Sequence, residues 1–239
     1  MLFDAALSPA EIDLIPSQNL PGTVCVVFDV LRATSSIITG LAHGTQEVRP
    51  VLSIEEALAA RAEWPDAILG GERHGDRIEG FDLGNSPLEY CRPGLRRIIT
   101  TTTNGTVALR ACASAQGVLQ VLAGALLNMK ALEEYIREAS PERVLLVCAG
   151  TFRDLGLEDV IAAGMLAAAF PNAEMTDAAQ VALAAYTRHS ADLLAGLKHA
   201  TNGRVLYQRG RAADVEWCAQ VSCFNLVGVM DDGVIRVAE

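Results

Sequence analysis

An acidic residue, an arginine and several hydroxyl groups follow a strongly apolar segment near the start of the 239-residue chain. The segment Val24–Phe28 is a run of five apolar residues, which is typical of a parallel strand buried on both faces. Ligands bind beyond the carboxyl ends of such strands in open α/β sheets. We therefore expect Asp29 to belong to a binding or catalytic site, and an N-cap of the next helix is the structural alternative. The residues expected to hold an anion beside it are Arg32, Thr34 and Ser35.

Two later turns have the same character. One follows the predicted strand Arg97–Thr101, and the other follows the predicted strand Arg143–Cys148. Each places polar groups and a helix N-terminus at the end of a strand, where free N–H groups favour an anion. A turn with a helix cap explains the same residues without a ligand. In the turn after Arg97–Thr101, the predicted substrate-binding residues are Thr103, Asn104 and Gly105.

Two acidic residues, Glu158 and Asp159, open the helix that follows the second turn. Acidic groups in a first helical turn stabilise the helix dipole, so a metal is not required to explain them. The functional alternative is a Mg²⁺ site that both residues share with Asp29, because oxygen-only ligand sets suit this ion. Arg153, in the loop before the helix, is then expected to face the bound anion.

A long polar loop, residues 74–87, follows the third predicted strand. Loops of this length inside compact domains are usually functional or disordered. Glu72 just before the loop and Asp82 within it are candidates for general acid or base catalysis. Asn85 and Ser86 are expected to contact the substrate. A solvent-exposed surface loop is the alternative interpretation.

Several common phosphate-binding and nucleophile motifs are absent from the sequence. It contains no G-x-x-x-x-G-K-[ST], no G-x-G-x-x-G and no G-x-S-x-G. The segment 29–34 is similar to the opening motif of phosphatases with an aspartyl nucleophile, but Leu31 stands where those enzymes have a second Asp. Water activated by a metal ion therefore fits Asp29 better than a phospho-aspartyl intermediate.

Strand, loop and helix patterns alternate from residue 24 to residue 170, which predicts an α/β fold. The expected architecture is a layered α/β/α domain in which helices cover both faces of a mainly parallel sheet. After Pro171 the pattern changes to a helical C-terminal region, and a terminal hairpin is expected about Asp231–Gly233. We expect one domain over residues 1–239, and a division into two similar halves, about 1–123 and 124–239, stays open.

The composition argues against some classes of function. The net charge of −10 does not suit a protein that binds nucleic-acid phosphates. No segment reaches the roughly 18 apolar residues that a membrane span needs. No signal-peptide pattern begins the sequence, and the six cysteines include no C-x-x-C, so we expect a reducing cytoplasm. The expected partner is a small anionic phosphorylated molecule, and formation of a homo-oligomer stays open.

Five motifs together resemble those of the 2-phosphosulfolactate phosphatase family. They are Phe28–Ser35, Gly71–Arg73, Gly80–Pro87, Thr102–Thr106 and Leu157–Asp159. The resemblance implies a Mg²⁺-dependent phosphatase that hydrolyses (2R)-2-phospho-3-sulfolactate to 3-sulfolactate and phosphate, a step in coenzyme M biosynthesis. A related 2-phospho-hydroxy acid is an equally open substrate.

Two other functions remain open at this point. The same turns would suit a non-catalytic protein that binds small organic anions, although such a protein has no need of clustered carboxylates. The chain would also suit an α/β hydrolase that acts on a C–O or C–N bond rather than on phosphorus.

Overall fold

The computed structural model describes residues 1–238. Its strands are β1 (Leu2–Ala6), β2 (Asn19–Phe28), β3 (Glu47–Pro50), β4 (Ile68–Arg73), β5 (Asp76–Arg77), β6 (Arg97–Thr101), β7 (Gln116–Gly124), β8 (Arg143–Cys148), β9 (Glu174–Met175), β10 (Gly228–Asp231) and β11 (Val234–Val237). Its α-helices are α1 (Pro9–Ile12), α2 (Ala33–Ala42), α3 (Ile54–Glu63), α4 (Gly105–Ser114), α5 (Met129–Ala139), α6 (Leu157–Ala168), α7 (Asp177–His189), α8 (Leu193–His199), α9 (Thr201–Gln208) and α10 (Ala212–Cys218). None of these helices is both long and apolar enough to cross a membrane.

The strands of the described residues form one sheet in the order β5-β4-β6-β3-β11-β10-β7-β2-β8-β1-β9. The group β7-β2-β8-β1-β9 is parallel throughout, and so is the group β4-β6-β3. The hairpin β10–β11 lies between the two groups and pairs antiparallel with a strand of each. The predicted α/β class, the mainly parallel sheet and the terminal hairpin are therefore confirmed.

Local sequence explains the central elements. The segment Val24–Phe28 of β2 is almost fully buried, and strands covered on both faces favour such β-branched and aromatic residues. Ser53 caps α3, because its side chain accepts a hydrogen bond from the backbone N–H of Glu56 at 3.1 Å. The β10–β11 turn has positive φ at both central residues, Asp232 and Gly233, as a tight hairpin of this length requires.

The sheet curves strongly around α2 and α4. In a flat sheet, the five strand spacings from β2 to β6 would separate their ends by about 24 Å. The four residue steps from Thr101 to Gly105 span at most about 14 Å. Yet a Cβ added to Gly105 would lie 2.6 Å from Oδ2 of Asp29. One apolar core, shared by α2, α4 and strands of both parallel groups, lies inside the curve, so the carboxyl ends of both groups meet at one place.

Some elements differ from the sequence prediction. The sequence of residues 4–14 predicts a short helix or an edge strand, but β1 lies between β8 and β9 rather than at the sheet edge, and α1 follows it. The predicted polar loop 74–87 includes the two-residue strand β5, which pairs with the end of β4. Within the C-terminal region the sequence predicts helices over residues 176–188, 190–199 and 211–218, so α9 and the two-residue strand β9 are additional elements.

Candidate active site

A cavity of about 60 Å³ lies where β2, β4, β6 and β8 end. Six residues that the sequence singled out line it: Asp29, Arg32, Glu72, Asn85, Thr103 and Asn104. Seven others complete the lining: Leu31, His74, Gly75, Gly150, Thr151, Phe152 and Asn202. The curved sheet thus brings together three strand-to-helix turns and the start of the long loop.

Asp29 is a buried carboxylate at the centre of the cavity wall. Its Oδ1 accepts a hydrogen bond from the backbone N–H of Ala33 at 3.0 Å, so it also caps α2. Burial raises the pKa of Asp29 to about 6, and the hydrogen bond from Ala33 opposes that rise. The negative charge of Glu72 raises the pKa further. Gly105 must lack a side chain, since a Cβ there would contact the carboxylate.

Two predicted anion ligands in the same turn have other partners. The hydroxyl of Thr34 donates to the backbone oxygen of Asp29 at 2.9 Å, and the hydroxyl of Ser35 donates to the backbone oxygen of Val30 at 2.8 Å. Both side chains are fully buried and lie outside the cavity lining. They hold the turn that positions Asp29 and contribute no surface to a ligand.

Arg32 lines the cavity, but a buried carboxylate holds its guanidinium. Its Nη1 pairs with Oδ2 of Asp214, and its Nη2 donates to the backbone oxygen of Gly75 at 3.1 Å. The hydroxyl of Ser86 donates to Oδ1 of Asp214 at 2.6 Å. Ser86 therefore lies behind Arg32, outside the cavity lining, and both oxygen atoms of Asp214 are occupied.

Glu72 joins the end of β4 to the turn after β6. Its Oε1 accepts from the backbone N–H of Thr103 and its Oε2 accepts from that of Gly75, both at 2.7 Å. Arg211 also donates to the backbone oxygen of Gly75, and Arg209 donates to that of His74 at 2.7 Å. Arg209 and Arg211, which also pair with Asp76, therefore hold the β4–β5 turn against the cavity.

Asn104 connects two of the three turns. Its Nδ2 donates to the backbone oxygens of Ala149 at 2.9 Å and Phe152 at 3.0 Å. Its Oδ1 accepts from the backbone N–H of Phe152 at 3.1 Å. The Asn104 side chain thus bonds backbone groups of the segment 149–152 and fixes this segment relative to α4.

Glu158 and Asp159 are buried just outside the cavity lining. Burial raises the pKa of Glu158 to about 7, and the nearby charge of Asp29 raises it further. Burial and the charges of Glu158 and Asp29 raise the pKa of Asp159 well above its usual range. Both oxygens of Asp159 accept backbone N–H groups, from Val30 at 2.8 Å and from Gly150 at 2.9 Å. Asp159 therefore links the turn after β2 to the turn after β8.

Comparison with known proteins identifies the family. The family model for 2-phosphosulpholactate phosphatase matches residues 10–233. A probable 2-phosphosulfolactate phosphatase of Deinococcus radiodurans is 38% identical over 228 residues, which cover 93% of this chain and 93% of that protein. A protein of the same name from Thermotoga petrophila is 36% identical over 231 residues, which cover 96% of this chain and 98% of that protein. This chain belongs to the 2-phosphosulpholactate phosphatase family. The resemblance in the five sequence motifs is confirmed.

Asp82 and Arg153 are two further predicted site residues that lie outside the cavity lining of this phosphatase family member. Oδ2 of Asp82 accepts from the backbone N–H of Leu69 at 2.9 Å and lies 3.5 Å from Nη1 of Arg61. Arg153 is 76% exposed and pairs with Asp13 at 3.2 Å. The first residue fastens the long loop to β4, and the second points along the outer surface of its turn.

Several lining residues of this family member were absent from the predicted site. His74 and Phe152 stack with ring centroids 5.9 Å apart, and each has a positive φ at a tight turn. Asn202 donates to the backbone oxygen of Leu31. Thr151 and Phe152 belong to the loop 149–157 that follows the predicted strand Arg143–Cys148, and this position could have indicated them. Nothing in the local sequence around Asn202 indicates a site.

Proposed function

We propose that this chain hydrolyses the phosphate ester of (2R)-2-phospho-3-sulfolactate, or of a related 2-phospho-hydroxy acid, with the help of Mg²⁺. The observation that carries the proposal is the convergence of Asp29, Arg32 and Glu72 in one cavity of a chain that belongs to the phosphatase family. The positive charge of Arg32 in the cavity lining suits an anionic substrate, although the whole chain carries a net charge of −10. A reducing cytoplasm suits the six free cysteines.

The carboxylates beside the cavity support a Mg²⁺ site in two ways. They offer only oxygen atoms, and burial, with a smaller contribution from neighbouring negative charge, raises the pKa of Asp29 and of Glu158, which a bound cation would offset. No group of three His, Cys, Asp or Glu side chains in residues 1–238 is arranged to hold a metal. Of the three predicted ligands we assign the ion to Asp29 and Glu158, because both oxygens of Asp159 already accept backbone N–H groups. Mg²⁺ commonly binds one or two carboxylates together with water and substrate oxygens. When bound, Mg²⁺ would neutralise charge on the phosphoryl group.

The protein residues then have distinct roles. Arg32, fixed by Asp214, supplies positive charge at the cavity wall for the phosphoryl oxygens. Glu72 lies in the lining and accepts a proton from the attacking water, whose oxygen bonds to phosphorus as the P–O bond to the ester oxygen breaks. That proton then passes from Glu72 to the departing alkoxide, which becomes the hydroxyl of the product. The products are the hydroxy acid and inorganic phosphate. Asp82 lies outside the lining, so we assign it no part in proton transfer.

Phosphate release from purified protein tests this function. We expect turnover of 2-phospho-3-sulfolactate and of phospholactate, loss of turnover with a chelator, and recovery with added Mg²⁺. Asp29→Asn is expected to lower kcat by about a thousandfold or more, whereas the exposed control Asp66→Asn is expected to leave it unchanged. Turnover that is insensitive to chelator, or an active Asp29→Asn variant, contradicts the mechanism. Tight binding of the substrate without hydrolysis at any Mg²⁺ concentration would favour an anion-binding protein.

A further inference from the structure

Two buried hydroxyl oxygens in the cavity wall have no hydrogen-bond partner. They are Oγ1 of Thr103 and Oγ1 of Thr151, and both residues line the cavity. Buried polar atoms are nearly always paired, and an exception calls for an explanation such as a catalytic role or a bound water or ion. Other hydroxyls of the same turns are satisfied, including that of Thr106, which donates to the backbone oxygen of Thr102 at 3.1 Å. The two free hydroxyls are therefore not a general feature of this Thr-rich region.

The backbones that carry these hydroxyls are fixed. The backbone N–H of Thr103 donates to Glu72 at 2.7 Å. The backbone of Thr151 exchanges two hydrogen bonds with Asp154, at 2.9 and 3.0 Å. Asn104 connects the two turns through its bonds to the 149–152 segment. Neither hydroxyl therefore gains a protein partner by a shift of its own turn, and each keeps only the rotation of its side chain.

We propose that Thr103 and Thr151 form a hydroxyl pair that donates hydrogen bonds to anionic oxygens of the substrate. This inference rests on the proposed function and adds Thr151 as a substrate-binding residue. A 2-phospho-3-sulfolactate molecule has phosphate, sulfonate and carboxylate groups, and its only hydroxyl is esterified. It therefore offers acceptors alone at neutral pH, so the hydroxyls must be the donors. Hydrogen bonds to ionised acceptors are roughly twice as strong as those between neutral groups.

The acceptor is either the phosphoryl group or the second acid group, by which we mean the carboxylate that every 2-phospho acid carries, and both present anionic oxygens. The two possible acceptors predict different sets of substrates whose binding weakens when a hydroxyl is removed. A pair that binds the phosphoryl group acts on every phosphate monoester. A pair that binds the second acid group acts only on substrates that have one, and then sets the preference of the enzyme for 2-phospho acids.

Thr103→Val and Thr151→Val remove each hydroxyl and keep the shape of the side chain. We expect each variant to raise KM for phospholactate by about tenfold with kcat nearly unchanged, because the bond is made in the bound state before chemistry. The Ser variants keep the hydroxyl and are expected to retain KM within about threefold. Thr45→Val is the matched control, since Oγ1 of Thr45 is also buried and unpaired but lies outside this cavity. Its KM is expected to stay at the wild-type value.

Thermal unfolding without ligand separates binding from structure. A hydroxyl that serves only a ligand is dispensable for folding, so both Val variants are expected to unfold at or above the wild-type temperature. The same measurements with isopropyl phosphate, which has no second acid group, identify the acceptor. A raised KM for both substrates assigns the phosphoryl group, and a raised KM for phospholactate alone assigns the second acid group.

Unchanged KM values in both Val variants, or a changed Mg²⁺ requirement with unchanged KM, would overturn the hydroxyl pair. Failure of the proposed function is a separate result, namely that the wild-type protein hydrolyses no phospho acid. In that case, calorimetric binding of 3-sulfolactate and of inorganic phosphate tests the pair without turnover. Weaker binding by the double Val variant than by wild type supports the pair, whereas equal binding, or no binding to the wild-type protein, overturns it.

Discussion

Asp214 pairs with Arg32 across 182 positions of sequence, and both side chains are almost completely buried, at 6% and 3% exposure. The second oxygen of Asp214 accepts the hydroxyl of Ser86. The positive charge at the cavity therefore depends on a carboxylate from α10 in the C-terminal helical region. Because Arg32 follows the strand that ends at Phe28, this contact fastens the C-terminal region to the centre of the site.

Asp214→Asn is expected to destabilise the protein by about 3–5 kcal/mol, since it leaves a buried guanidinium without its counter-charge. The substitution should also lower kcat/KM, because Arg32 loses the partner that orients it. Urea unfolding and steady-state kinetics measure the two effects. The exposed pair of Asp66 with Arg97 provides the control, and Asp66→Asn is expected to change neither quantity appreciably. Equal effects of the two substitutions would contradict the role assigned to Asp214.

Without metal, the buried carboxylates should make the protein less stable as pH rises. The folded-state pKa values of about 6 for Asp29 and about 7 for Glu158 exceed the ordinary values of 3.8 and 4.5. Between the two sets of values the folded state binds more protons than the unfolded state, so the unfolding free energy falls as pH increases. The loss is expected between about pH 4 and pH 8 and to be on the order of a few kcal/mol.

Mg²⁺ is expected to reverse that loss, because it binds the deprotonated carboxylates. The unfolding temperature, measured from pH 5 to pH 8, should rise more with Mg²⁺ at pH 8 than at pH 5. Asp29→Asn and Glu158→Gln should flatten the pH dependence, whereas Glu79→Gln in the exposed loop should preserve it. A metal-free protein whose stability increases steadily over this range would show that the carboxylates are not buried in the protonated form.

Asp82 and Arg153 are expected to be unimportant for catalysis. Asp82→Asn keeps a carbonyl oxygen that can accept the Leu69 N–H, and Arg153→Ala removes only an exposed side chain. Both variants should keep kcat/KM within about threefold of wild type. Glu72→Gln should lower kcat by about a hundredfold or more, which is the usual contribution of a general base. Steady-state kinetics distinguish these cases. If Asp82→Asn lowered kcat as much as Glu72→Gln, Asp82 would have to take part in catalysis.

The sequence was sufficient to predict the turns of the site, because polar groups after buried parallel strands must lie at a strand end. It did not separate the roles of neighbouring hydroxyls. Thr34 and Thr103 both occupy strand-to-helix turns, but the hydroxyl of Thr34 bonds the backbone of its own turn whereas that of Thr103 has no protein partner. Whether a hydroxyl bonds locally depends on its side-chain rotamer, which sequence pattern does not specify.

Long-range contacts were also beyond prediction from sequence alone. Asp214 and Asn202 belong to helices whose local pattern indicates only packing, and each meets the site through a single side chain. The curvature of the sheet could not be predicted either. The alternation of strands and helices indicates which elements are neighbours along the chain, but not that the two parallel groups of strands bend around α2 and α4.

Asn104→Asp is expected to be more damaging than its small change in size indicates. A carboxylate oxygen would replace the Nδ2 donor and face the carbonyl oxygens of Ala149 and Phe152, so two hydrogen bonds would be lost and a repulsion gained. The new negative charge would also lie in the same cavity lining as Asp29. We expect a loss of about 2–4 kcal/mol in stability and of at least a hundredfold in kcat/KM.

Asn104→Ala separates the two causes, since it removes the hydrogen bonds without adding charge. Its kcat/KM is expected to lie between those of wild type and Asn104→Asp. The gap between the two variants should narrow as ionic strength rises, because salt screens the repulsion of an anionic substrate but not the loss of the connection to Phe152. Asn172→Asp, at an exposed position, adds the same charge away from the cavity and should have no effect. The lost connection between the two turns and the repulsion of an anionic ligand would each lower kcat/KM by itself. An Asn104→Asp variant that matched wild type in kcat/KM at low salt would therefore contradict both.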